Sequence, residues 1–176
     1  MPHIESEKTG VTQAGEKLFN FAVDREDVKV FIENLPEGRK CRPVAVEYEL
    51  QLLKIIATGW SISFFLENNP RRAQLAENFW KLMYGFSANI SETTGLLAGH
   101  DIDYFQILKS RLDMYVAALA EKPEMAEPAA VIGPAFAKLC GDIEDVYTVM
   151  AGSKMFIITV AQVKDYLEFI ERESLL

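Results

Sequence analysis

The 176-residue chain has only two histidines, His3 and His100, and only two cysteines, Cys41 and Cys140. No phosphate-cradling glycine loop, clustered zinc-ligand set or nucleophile elbow accompanies them. Serine–histidine–carboxylate catalysis has no support, because His3 sits in a loose polar tail and no serine is marked as a nucleophile for His100. No Glu-x-x-His pair is present, so the carboxylate-bridged di-iron pattern of helical bundles is missing. Nothing in the sequence calls for a metal or another cofactor.

Basic excess is missing too. Eighteen Lys and Arg face 26 Asp and Glu, a net charge of −8. Phosphate contact needs a basic face, so general nucleic-acid binding is not expected, nor is attachment to an anionic membrane surface. The start, Met1 to Lys8, is polar and lacks an apolar signal core. The longest greasy stretch, Leu50 to Phe65, is short for a membrane span and contains Lys54. Two thiols without metal spacing or a leader fit a reducing, cytoplasmic setting.

What remains is a soluble composition, 49% apolar and 25% charged. A chain of this length buries roughly 70% of its unfolded surface and needs no covalent staple. The expected organisation is a flexible N-terminal tail over residues 1–10, followed by a single helical domain over 11–176.

Apolar residues recur at three- and four-residue spacing nearly throughout. A weak helix is expected over 12–22. Asp24, with Asp27 three residues on, caps the next, which carries Val28, Phe31, Ile32 and Leu35 and stops at Pro36. Pro43 opens a long helix to about Glu67, apolar almost all round and hence central. Asn69 and Pro70 precede a second long helix to about Leu97, with Leu75, Phe79, Leu82, Phe86 and Ile90 as its stripe. Phe79 and Phe86 are both expected in the core. Asp101 is read as the cap of a helix ending near Ala120, and residues 121–127 as a linker. Pro134 restarts a helix with Phe136, Leu139, Ile143, Val146 and Met150 on one face. Gly152-Ser153 punctuates, and Phe156, Val160, Val163, Leu167 and Ile170 follow. The β-branched runs on either side of residues 151–154 also fit a hairpin, but the flanking 3.6-residue period favours helix. The fold class is therefore all-α, a single-domain bundle of about six helices with two long central ones. Gly59-Trp60-Ser61 and Gly85-Phe86-Ser87 look alike in mid-helix; each glycine costs about 1 kcal/mol against alanine, so close approach of another helix is expected at both.

Three groups of residues are candidate sites. Trp60, Phe64, Trp80 and Tyr84 belong to an aromatic set wider than one packing stripe; core packing is the default, a partner surface or ligand pocket the sharper reading. Arg39, Lys40, Cys41 and Arg42 place cations and a thiol just before a helix start, where an anion could bind or the thiol acidify; a solvated turn is the simpler reading. His100, Asp101 and Asp103 could move protons or hold a divalent ion, against the simpler view that the acids only complement a helix N-terminus. Arg71 and Arg72 fall in a first helical turn, where cations are unfavourable but tolerated when exposed.

The shortage of reactive side chains beside broad apolar helix faces leads to a non-enzymatic interaction or regulatory protein, expected to self-associate as a homodimer or to bind a protein partner. The alternative is a binding module for an apolar or amphipathic small molecule between the central helices. An enzyme using His100 and its neighbouring acids ranks third.

Overall fold

The computed structural model describes the backbone of residues 2–176 and their side chains except those of 2–9 and Ala98. The flexible tail expected over residues 1–10, with His3, falls largely on side chains outside the described residues. Among the described residues there are seven helices and no strand: α1 Pro2–Val23, α2 Glu26–Glu33, α3 Pro43–Phe65, α4 Arg72–Ala98, α5 Tyr104–Ala120, α6 Ala129–Cys140 and α7 Val146–Arg172. The all-α class holds. The segment expected as a weak helix from residue 12 is part of a 22-residue helix.

Helix ends follow local chemistry. Asp24 Oδ1 accepts the Glu26 N–H at 3.0 Å just ahead of α2, whose N-cap is Arg25 and not the expected Asp24. Asn69 Oδ1 accepts the Arg71 N–H at 2.8 Å before α4. Gly99 closes α4 at φ +72°, donating to the Gly95 carbonyl at 3.0 Å. Asp103, not Asp101, caps α5: its Oδ1 accepts the Gln106 N–H at 3.0 Å.

Contacts divide the chain into two compact units. The first comprises residues 1–22, 58–109 and 162–176, so it holds α1, α4 and the ends of α3 and α7. The second comprises 23–57 and 110–161, with α2, α6 and most of α3, α5 and α7.

α3 is as buried as its composition demands: every residue from Glu49 to Gly59 is buried. α4 is not. Its buried row is Leu75, Phe79, Met83 and Ser87, one residue every turn, while Glu77, Lys81 and Tyr84 are exposed. Phe79 is core; Phe86 is half-buried, edge-on to Phe19 at 5.7 Å. Of the two long helices expected to be broadly buried, α3 is buried through its middle and α4 buries a single row.

In the C-terminal third, glycine and proline sit inside helices and not between them. α6 starts at Ala129 and carries Pro134 inside it, and α7 runs unbroken through Gly152 and Ser153. These glycines are contact points. A Cβ on Gly133 would lie 2.8 Å from the Val149 carbonyl oxygen, and one on Gly152 would lie 2.6 Å from ring carbons of Phe136. Ser153 Oγ donates to the Ala129 carbonyl at 3.0 Å. α6 and α7 approach too closely there for side chains, which offsets the helix penalty of glycine. The stripe expected from Phe136 to Met150 does not form, because α6 ends at Gly141 (φ +118°) and the register restarts at α7. Ile143, Val146 and Met150 are exposed.

Candidate functional site

The loop before α3 offers backbone N–H groups, and the protein fills them itself. In the second unit Asp145 is buried, and its Oδ2 accepts the N–H of Lys40 at 2.8 Å, the N–H of Cys41 at 2.9 Å and the hydroxyl of Thr148 at 3.0 Å. Burial alone would raise this carboxyl, but the hydrogen bonds outweigh it and hold the pKa at about 2. The anion anticipated beside Arg39, Lys40, Cys41 and Arg42 is therefore the protein's own carboxylate. Cys41 is buried, its thiol donates to the Asp142 carbonyl at 3.9 Å, and burial pushes the thiol pKa up, the direction opposite to activation. Lys40 Nζ lies 3.7 Å from Asp142, and Arg39 donates to the Pro36 carbonyl at 3.3 Å. Arg42 is exposed.

His100, Asp101 and Asp103 stay close in space only because they are close in sequence. His100 and Asp101 border a shallow polar depression in the first unit with Ser91, Glu92 and Gly99. Asp103 is engaged as the α5 cap, and Ser91 Oγ accepts the Tyr104 N–H at 2.9 Å. Among the described residues no three His, Cys, Asp or Glu side chains are grouped to hold a metal ion.

The aromatic set divides. In the first unit Trp80 lies over Gly59, where an added Cβ would come within 2.9 Å of the indole. The close approach expected at Gly59 is real, whereas a Cβ on Gly85 would meet nothing within 4 Å. Trp60 stacks on Phe64 with centroids 4.7 Å apart, and Tyr84 meets Phe105 edge-on at 5.3 Å. Both tryptophans are half-buried; Phe64 (56%) and Tyr84 (62%) are exposed.

Two buried charges had no place in the sequence reading. Lys54, 1% exposed, donates to Asp27 Oδ2 at 2.9 Å and to the Asp24 carbonyl at 3.0 Å. A lone lysine in a greasy stretch was the signal that an acid must meet it. Glu49 is buried and held by Arg111, whose Nη2 lies 2.8 Å from Oε1 and Nε 3.0 Å from Oε2. The buried Tyr115 hydroxyl has no hydrogen-bond partner among the described residues. Burial first and the Glu49 carboxylate second push the Tyr115 phenol and the Cys140 thiol far up. A carboxylate locked in a guanidinium fork, beside a phenol and a thiol held neutral, is suited to packing rather than proton transfer.

The feature with no structural employment is on the outside of the second unit. The inward row of α7 is Thr148, Ala151, Gly152, Met155, Phe156 and Thr159. At 100° per residue the opposite side falls at Val146, Met150, Lys154 and Ile157, with Tyr147 and Ile158 on its flank about a quarter turn from the buried row; the five apolar residues of this set are exposed, Val146 by 64% and Ile157 by 54%. α7 is long and apolar enough to cross a membrane by length and composition, a test that core helices also pass. Between this helix and α2 lies a groove of about 320 Å³, lined by Val30, Phe31, Leu35 and Pro36 on one side and Tyr147, Met150 and Lys154 on the other.

Comparison with known proteins returned no match, neither to a family model nor to a curated protein or a solved structure.

Proposed function

We propose that this chain is a non-enzymatic interaction protein that self-associates through the outer face of α7. The observation that carries the reading is the exposed apolar cluster Val146, Tyr147, Met150, Ile157 and Ile158 on the outer side and flank of the helix, with Lys154 the one charge among them. Large apolar side chains clustered on one outward face mark interaction sites more often than chance surface composition does. The same face in a second copy is chemically self-complementary, as a two-fold interface requires. The absence of a reactive constellation from the loop before α3 and from the His100 segment supports a non-catalytic role, and the two buried free thiols suit a reducing, cytoplasmic setting.

The aromatic residues of the first unit are a weaker basis for the contact, since Trp60 and Trp80 are half-buried against Phe64 and Gly59. Light scattering at micromolar concentration tests the proposal. The expected mass is twice the 19.8 kDa of the chain; 19.8 kDa at every accessible concentration refutes self-association.

A further inference from the structure

We infer that the groove between α2 and α7 is a binding site for a small monocarboxylate with an apolar body, of the size of a medium-chain fatty acid. This goes beyond self-association, with which it shares Tyr147 and Met150, so the two are measured side by side. Nine residues line the groove, and seven of them are Val30, Phe31, Leu35, Pro36, Tyr147, Met150 and Ala151. Its volume of about 320 Å³ is at the lower end of the range for small-molecule sites, roughly 300–1,000 Å³. A short chain or single ring system fits that volume; a phospholipid or a bulky cofactor does not.

Polarity fixes the head group. The two remaining lining residues are Asn34 and Lys154. Lys154 is the only charged one. It is exposed and makes no ion pair among the described residues. A lysine beside an apolar groove lays its methylene stem along the wall and keeps its ammonium at the mouth. Asn34 donates one amide hydrogen to the Val30 carbonyl at 2.7 Å and retains the other. Asn34 can donate through its amide N–H or accept through Oδ1, so the ammonium of Lys154 sets the sign, and the complementary head group accepts and is negatively charged. In a chain of net charge −8 an unpaired lysine beside an apolar groove selects an anion locally against the overall field. A cationic amphiphile would meet Lys154 as a like charge, and a neutral one would leave it unused.

The test uses the full-length chain and two probes, decanoate below its micelle concentration and 1-decanol. Calorimetry gives affinity, and the Met150 methyl signal by NMR gives location. Decanoate should bind and shift Met150. Lys154→Met should weaken decanoate at least tenfold while changing decanol less than twofold. Ala151→Trp, which fills the groove, should abolish both, and if that variant fails to fold the Lys154→Met comparison stands without it. Absence of decanoate binding, a decanoate affinity unchanged in Lys154→Met, or decanol binding as tightly as decanoate to the native chain would each overturn the assignment. Masses of wild type and Lys154→Met measured in parallel keep the outcome separate from self-association.

Discussion

α4 and α7 are both 27 residues long, yet they use their outer faces differently. Each buries one row: Leu75, Phe79, Met83 and Ser87 on α4; Thr148, Ala151, Met155 and Thr159 on the first half of α7. Away from the row, the middle of α4 shows Glu77, Lys81 and Asn89 to solvent, with Tyr84 its one exposed large apolar residue until Leu96 and Leu97 at the C-terminal end, whereas the first half of α7 shows Val146, Tyr147, Met150, Ile157 and Ile158 around a single Lys154. An amphipathic helix is accounted for by its own core. A helix apolar on both sides is only half accounted for, and the unused half is evidence about partners.

The comparison can be broken at four points. The inner row of α4 should be worth the most: Phe79→Ala leaves a cavity at a fully buried position and should cost about 3–5 kcal/mol in urea unfolding. The start of α7 comes next. Asp145 titrates at about 2 when folded, below the roughly 3.9 of an unfolded aspartate, so its stabilisation is complete above about pH 4 and disappears as the pH falls through 2. That component should amount to about 2–3 kcal/mol, and Asp145→Asn should remove it from the pH profile of the melting temperature. On the inner side of α7, Gly152→Ala drives a methyl into the Phe136 ring and should cost about 1–3 kcal/mol despite alanine's better helix propensity. On the outer side of α4, Gly85→Ala meets open space and should stabilise by about 0.5–1 kcal/mol in thermal unfolding. Equal signs for the two glycine variants would mean that the faces of these helices are misassigned.

Helical periodicity was legible wherever one stripe faces one core. It gave the bounds of α3, α4 and α5 to within a few residues, placed Phe79 inside, and drew the correct row Val163, Leu167 and Ile170 at the end of α7. Reading failed where a residue type has two physical uses. Gly133, Pro134 and Gly152 are breakers in isolation, but the two glycines are spacers when another helix passes within side-chain distance, and sequence alone does not show that helix. Asp145 was invisible for a similar reason. Its partners, the amides of Lys40 and Cys41, lie more than a hundred positions away, so the loop looked like an empty anion site when its anion came from the far end of the chain. The outer face of α7 is concealed in the sequence because Val146 and Met150 also fit an inward stripe continued from α6, across a turn that resets the helical phase.

The most direct measurement is sedimentation equilibrium on two charge insertions side by side, Ile157→Glu on the outer face of α7 and Tyr84→Glu on the outer face of α4. Both positions are exposed, so Ile157→Glu should change folding by no more than about 0.5 kcal/mol, and Tyr84→Glu, which also loses the ring contact with Phe105, by about 0.5–1.5 kcal/mol. Ile157→Glu is expected to reduce a dimer of the 19.8 kDa chain to monomer, with Tyr84→Glu remaining dimeric. Dissociation by Tyr84→Glu with Ile157→Glu still dimeric would contradict the assignment and move the interface to the aromatic residues of α3 and α4.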